Sequence, residues 1–173
     1  MLLLNKALVH PNAIGNMEDM TAFQDRQAFP VDIVNEQEFI SVDEKQICSI
    51  CSKIISDAGF RTGRLGVVLT DNRAIHELNL KYLGHDYATD VISFTLEIDD
   101  SHLEAELVVS TEVAKDRCTE FEWSELSELM LYVVHGTLHQ VGYDDKMEED
   151  ALRMRRMEAV YLALIGIDIP KNL

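Results

Sequence analysis

Residues 133–146, V-V-H-G-T-L-H-Q-V-G-Y-D-D-K, constrain this chain more than any other stretch. His135 and His139 are four residues apart, so on a helix their imidazoles stand on one side, a turn from each other. Leu131, Val134, Leu138 and Val141 recur beside them at helical spacing and predict a helix pinned into a core. Gly142 follows the last apolar position, where a helix C-terminus commonly takes a residue at positive φ. The chain can then turn back and bring Tyr143, Asp144 and Asp145 toward the two histidines. Two imidazoles from a rigid helix and one ligand from a returning loop leave a position open for water, which is the design of a catalytic metal site.

A histidine pair at this spacing is, by itself, more often plain helix surface or a satisfied polar pair. The glycine break and the acidic pair behind it turn the balance toward a metal. The spacing His-x3-His-x2-Gly-x2-Asp also copies the metzincin protease pattern. Gly136, however, stands where those proteases carry the glutamate that serves as general base, so protease chemistry loses its proton acceptor.

The run from His135 through Gly136, Thr137, Leu138, His139, Gln140, Val141, Gly142, Tyr143 and Asp144 to Asp145 resembles the H-G-x-L-H-x-x-G-Y-D-H signature of the YbeY endoribonuclease and rRNA maturation family. A second block, Leu78-Asn79 through Tyr82 and then Thr89-Asp90-Val91-Ile92-Ser93-Phe94, is similar as well. The likeness covers about residues 31–168 in the family's order of elements. Two departures stand out. The family's third metal-binding histidine falls on Asp145, and its arginine after the tyrosine of the second block falls on Leu83. Two histidines and a carboxylate also make catalytic zinc sites, although the added negative charge weakens the Lewis acid and favours harder ions such as manganese. Leu83 removes a phosphate-binding cation, for which Lys81 or His85 are the nearby substitutes.

The chain's 173 residues suit one domain with a sizeable core, and no apolar run approaches the length of a membrane span. The first four residues, Met1-Leu2-Leu3-Leu4, hint at a signal peptide, but Asn5 and Lys6 stop the run and no basic region precedes it. A cytoplasmic protein is expected. Residues 1–30 lie outside the resemblance and hold Pro11, Gly15 and Pro30 with no sustained period, which predicts a loosely ordered extension ahead of a domain over 31–173. Met17 and Met20 are alternative starts. The formal charge of −16 opposes a general electrostatic grip on RNA, so attraction has to come from a local basic cleft, a metal or a protein partner.

Residues 31–35 alternate as a first strand. Ser41-Val42-Asp43-Glu44 is a capping-box signal for a helix whose inner face holds Ile47, Cys51, Ile54, Ile55 and Ala58, with Gly59 ending it. Cys48-x-x-Cys51 falls within that helix without a second pair, which favours core packing over zinc or redox chemistry; with Cys118 the count is three and gives no disulfide framework. Residues 65–70 form a strand, and Asp71 caps a helix running through His76, Leu78 and Tyr82, with His76 in solvent. A loop over 86–90 leads to a strand over 91–97, with Asp90 expected to support the fold through hydrogen bonds while bordering the cleft. Residues 99–104 read as an acidic turn with His102 in solvent, and 107–109 as another strand. Ser110 caps a short helix to about Thr119, and Ser124 opens the metal-bearing helix. The last helix, 147–165, carries acids at its positive end, a Glu149–Arg153 pair, and Arg153, Arg155 and Arg156 on a solvated face.

This order predicts an α+β domain, a mostly four-stranded mixed sheet packed with about five helices. The resemblance implies a metal-dependent single-strand endoribonuclease in small-subunit (16S) rRNA maturation and ribosome quality control. His135, His139 and Asp145 would be its catalytic metal ligands for one divalent ion per chain, Zn²⁺ first, with Mn²⁺ or another transition metal as alternatives. Asp144 is the alternate ligand or an acceptor for a histidine N–H, and Lys81, His85 and Asp90 are candidate substrate contacts. Its implied partners are rRNA and the small ribosomal subunit or a ribosomal protein, with neither membrane nor DNA. A binding-only assembly factor and a metallohydrolase of another substrate are the competing readings.

Overall fold

A computed structural model describes residues 28–120 and 123–170. The predicted extension over 1–30 therefore lies outside the described residues, except for its last three. The elements run β1 (Val31–Asn35), α1 (Glu44–Asp57), β2 (Thr62–Thr70), α2 (Asn72–Leu83), β3 (Val91–Ile98), β4 (His102–Ser110), α3 (Thr111–Arg117), α4 (Glu125–Gln140) and α5 (Glu148–Leu164), with a 3₁₀ turn (Cys118–Glu120) after α3. The sheet order is β1-β2-β4-β3; β1, β2 and β4 are parallel, and β3 runs antiparallel to β4 at the edge. The predicted α+β architecture, a four-stranded mixed sheet with five helices, is what forms.

Strand alternation splits the sheet into two faces. Leu65, Val67 and Leu69 of β2 and Leu103, Ala105, Leu107 and Val109 of β4 join the main core with α1 and α4. The opposite face holds a smaller cluster in which Ile92 and Val108 meet Ile75 of α2. No described helix is long and apolar enough to cross a membrane.

Helix starts follow local chemistry. Asp71, Ser110 and Ser124 each accept a backbone N–H two or three places into the helix they open, as their positions predict. The cap of α1 is Asp43 rather than Ser41, with its Oδ1 accepting from Lys45 N at 3.0 Å. Buried Gln37 explains the shift. Its Oε1 accepts from the backbone N of Phe39 and Ile40, and its Nε2 donates to the Ile40 carbonyl, holding the preceding turn out of helix.

Two further readings are corrected. The acidic turn is shorter than predicted, because β4 already begins at His102; its buried Leu103 and Ala105 alternate with the acids that disguised the strand. His76 is a solvated helix residue as expected, its side chain 39% exposed and its Nε2 2.8 Å from the exposed Asp86 Oδ1. Arg153 pairs with Asp150 at 3.6 Å instead of Glu149. Of the cysteine motif, Cys51 is core as expected, fully buried with its thiol pushed up to about 12 by burial, whereas Cys48 is half-buried.

Helix α4 crosses the main face of the sheet at very close range. A Cβ placed on Gly136 would stand 2.9 Å from Val91 Cγ2 and 3.2 Å from Leu107 Cδ2. A side chain there would have to push the Val91 and Leu107 methyls aside, which supplies a structural reason for the missing glutamate of the protease pattern. Ser93 Oγ donates to the Gly136 carbonyl at 3.5 Å and Thr95 Oγ1 to Gln140 Oε1 at 2.8 Å, tying the helix to edge strand β3. Gly136→Ala should therefore cost about 1–3 kcal/mol from overpacking, despite the roughly 1 kcal/mol by which alanine favours a helix. Urea unfolding should show a lower midpoint with an unchanged slope. A midpoint at the wild-type value would refute the close contact.

Candidate metal centre

Along α4, every residue from Glu128 to Gln140 is buried except His135 and His139. A helix packed on nearly all sides thus opens one narrow face, and both imidazoles occupy it. The rings stand edge to face with centroids 4.5 Å apart, and the two Nε2 atoms are 3.0 Å from each other. Gly142, at φ 98°, lets the chain reverse after the helix, as its position predicts. The loop then brings Asp145 back, with Oδ2 3.7 Å from His135 Nε2 and Oδ1 3.9 Å from His139 Nε2.

These three residues offer ligand atoms that all lie within 4.8 Å of one another. Ligand atoms around a tetrahedral ion with bonds of about 2.0–2.1 Å are roughly 3.3 Å apart, so modest side-chain motion accommodates one. Asp144 borders the same cleft, but its Oδ1 accepts from Asp145 N at 2.9 Å and its Oδ2 lies 3.9 Å from Lys146 Nζ. Asp145 is the carboxylate that faces the imidazoles.

Each histidine is oriented through its other nitrogen. His135 Nδ1 is 2.7 Å from Glu158 Oε1, and His139 Nδ1 is 2.9 Å from the Tyr143 carbonyl. Both acceptors hold a proton on Nδ1 and leave Nε2 for a ligand, the arrangement that metal-binding histidines use. Sequence reasoning missed Glu158. Its signal was an acid within the apolar stripe of α5, where Met154, Glu158, Tyr161 and Leu162 are the buried positions.

Burial disfavours charge on His135, but the hydrogen bond and negative charge of Glu158 together outweigh it and raise the pKa above the ordinary 6.5. Burial and then the charge of His135 push His139 below that value. The two directions fit one proton arrangement. Charged His135 donates to Glu158 through Nδ1 and to His139 through Nε2, while neutral His139 donates to the Tyr143 carbonyl. Loss of the His135 proton leaves two Nε2 lone pairs beside the Asp145 carboxylate.

A cleft of about 630 Å³ opens onto this face. Its lining joins the metal-competent trio to Asp90, to β3 and to Tyr82 and Leu83 at the end of α2. Asp90 Oδ1 accepts from Thr89 Oγ1 and Val91 N at 2.8 and 2.9 Å, supporting the strand start as expected. Lys81 and His85 do not line the cleft: the Lys81 ammonium sits 4.8 Å from the Tyr82 ring centroid, and His85 stacks on Tyr87 at 5.4 Å. Lys146 is the cation on the cleft wall, at the lip beside Asp144.

A mixed α+β fold with a histidine pair on a core helix and a carboxylate returning from the next loop defines a domain with a group that could hold a metal ion, and comparison with known proteins gives the family. The family model described as Endoribonuclease YbeY matches residues 32–166, and the chain belongs to that family. A relative from Rhodopirellula baltica, named Endoribonuclease YbeY, is 46% identical over 114 residues, covering 65% of this chain and 59% of that protein. Two others of the same name, from Salinibacter ruber and Carboxydothermus hydrogenoformans, are 34% and 36% identical over 141 residues; they cover 77% and 79% of this chain and 90% and 98% of their own lengths. A solution structure of a Thermotoga maritima protein shares the fold, with a TM-score of 0.56 at 23% identity, over 79% of this chain and 91% of that one.

The raised pKa of His135 ties stability to pH. A group whose folded pKa is raised contributes fully below its unfolded value and loses that contribution as pH rises through the folded one. Chelator-treated wild type should therefore exceed Glu158→Gln in unfolding midpoint by most below pH 6.5, with the gap narrowing as pH climbs through the raised value. Thermal unfolding of both proteins across that range checks it. A gap that is flat or widens with pH would show that Glu158 does not charge His135.

Proposed function

We propose that this chain is a metal-dependent endoribonuclease that cuts single-stranded RNA, acting in small-subunit rRNA maturation and ribosome quality control. Family membership supports the nuclease class. The observation that carries the metal reading is the placement of His135 and His139, with both Nδ1 atoms bound to acceptors and both Nε2 atoms turned toward Asp145. Two histidines and a carboxylate suit Zn²⁺, with Mn²⁺ the harder alternative. An ion held there supplies Lewis acidity toward a phosphoryl oxygen and a bound water of lowered pKa.

The chain's own residues do the rest. Glu158 and the Tyr143 carbonyl fix the two ring orientations, so that binding requires little rearrangement on the helix. Asp145 comes from an exposed loop and can adjust to the ion. Packing at Gly136 excludes a helix-borne base next to His135, which sets the site apart from a protease. Asp90 and β3 frame the cleft from the other side. Its partners on this reading are rRNA and the small ribosomal subunit or a ribosomal protein, with the cytoplasm as compartment.

Purified wild type supplied with zinc or manganese should cleave single-stranded rRNA and leave duplex RNA intact. His139→Ala should lose bound metal, by elemental mass spectrometry, together with at least about a hundredfold of cleavage, the loss that removing one preorganised electrostatic group commonly causes. Wild type that leaves single-stranded RNA uncut under every divalent ion would overturn the nuclease reading. If His139→Ala folded normally and still restored ribosome assembly, the chain would be a binding factor.

A further inference from the structure

The lining of the cleft is of two unlike kinds, drawn from the two sides of edge strand β3. One carries the metal-competent trio, with Lys146 at its lip. The other is apolar, built from Tyr82, Leu83, Ile92 and Phe94. Tyr82 is 51% exposed although it lies against a cleft, and Leu83 beside it is 46% exposed. The Tyr82 ring is nevertheless fixed: it meets Phe94 edge to face, with centroids 5.4 Å apart and planes at 73°, while the Lys81 ammonium stands 4.8 Å from its centroid. With Lys81 over one side of the ring, the half of the residue that is exposed along the cleft still offers aromatic surface to a flat partner.

We infer that Tyr82, backed by Phe94 and flanked by Leu83, forms a base-stacking subsite that holds one unpaired nucleobase of a single-stranded RNA while the adjoining phosphate faces the His135–His139–Asp145 wall. This rests on the ribonuclease reading and names how that site recognises its substrate. The occupant must present a flat apolar group to one wall and an anion to the other within one cleft, and a nucleotide carries both. A peptide is disfavoured because close packing leaves no place for a base at Gly136. Charge points the same way. The chain carries −16 overall, and Lys146 on the lining with Lys81 over Tyr82 gives too few phosphate contacts to hold RNA by themselves. Stacking needs no cation, and it selects single strands, because a duplex keeps its base faces covered.

The test is binding of a nuclease-resistant 2′-O-methyl single-stranded oligonucleotide to the metal-loaded full chain, read by fluorescence anisotropy. The comparison strand has the same phosphates and abasic sugars. Tyr82→Ala should weaken binding of the normal strand roughly tenfold or more, and Tyr82→Phe should keep it, because stacking uses the ring and not the hydroxyl. Wild type should bind the abasic strand about as weakly as Tyr82→Ala binds either strand. Its affinity should fall only gently with added salt. Circular dichroism would confirm that Tyr82→Ala is folded; if it is not, the comparison of the two strands on wild type still decides. Equal binding of both strands by wild type overturns the inference, as does wild-type affinity in a folded Tyr82→Ala. Base-dependent binding of this probe, with unmodified single-stranded RNA left uncut under zinc and manganese, would sustain the subsite and sink the nuclease.

Discussion

The contact between α4 and the β3–β4 pair at Gly136 is the constraint on which the rest of this structure depends. Because a helix can approach a sheet this closely only where it lacks a side chain, Gly136 sets both the height and the rotation of α4. Rotation decides which residues remain outside the core, and those residues are His135 and His139. The candidate metal centre is thus a by-product of packing geometry: two imidazoles emerge where the helix runs out of neighbours. Ser93 and Thr95 reinforce the same rotation from β3, with hydrogen bonds to Gly136 and Gln140 that a turned helix would break.

Burial on this scale creates polar problems, and the fold resolves them near the site. Glu128 is 2% exposed, yet Trp123 Nε1 and Tyr132 OH donate to its two oxygens at 2.6 and 2.7 Å. Glu158 is 5% exposed and is matched by His135. A lone buried carboxylate is costly, whereas one paired with a chargeable imidazole is held in place. That pairing fixes the imidazole as firmly as the imidazole fixes the acid. Position and chemistry at His135 are therefore set by the same bond.

Much of this could be read from residues close together in the chain. The His135–His139 spacing, Gly142 and the caps at Asp71, Ser110 and Ser124 act within one or two turns, so their signals are local and survived folding unchanged. Features that depend on partners far along the chain were hidden. Glu158 lies 23 positions from His135, and an acid on a helix reads as solvated until its burial is known. The first half of β4 looked like a turn because its acids are the exposed side of a strand that only pairing with β2 and β3 reveals. Ser41 lost its capping role to Asp43 because Gln37, four residues upstream, had organised the turn. Tyr82 showed as part of a familiar block, but nothing local indicated that it would end as a wall of the cleft.

The same division between rigid and adaptable parts accounts for where this chain departs from the pattern it resembles. His135 and His139 sit in a helix whose neighbours are closed in on all other sides, so a residue of different length there would have to move the core or lose the site. Asp145 lies in a loop beyond Gly142, its side chain 46% exposed and 3.7 to 3.9 Å from the imidazole nitrogens. A loop of that kind can shift by the ångström or so that a shorter candidate ligand would need without disturbing packing. Replacing an imidazole by a carboxylate at position 145 therefore changes the charge and hardness of the site more than its geometry. Leu83 is the second departure, and it too lies on an exposed surface, at the end of α2, where an apolar side chain in place of a cation alters what the cleft can grip and leaves the fold alone. Both changes fall on parts of the cleft that the core does not dictate, which is why the architecture tolerates them and why their effect should appear in metal preference and substrate recognition.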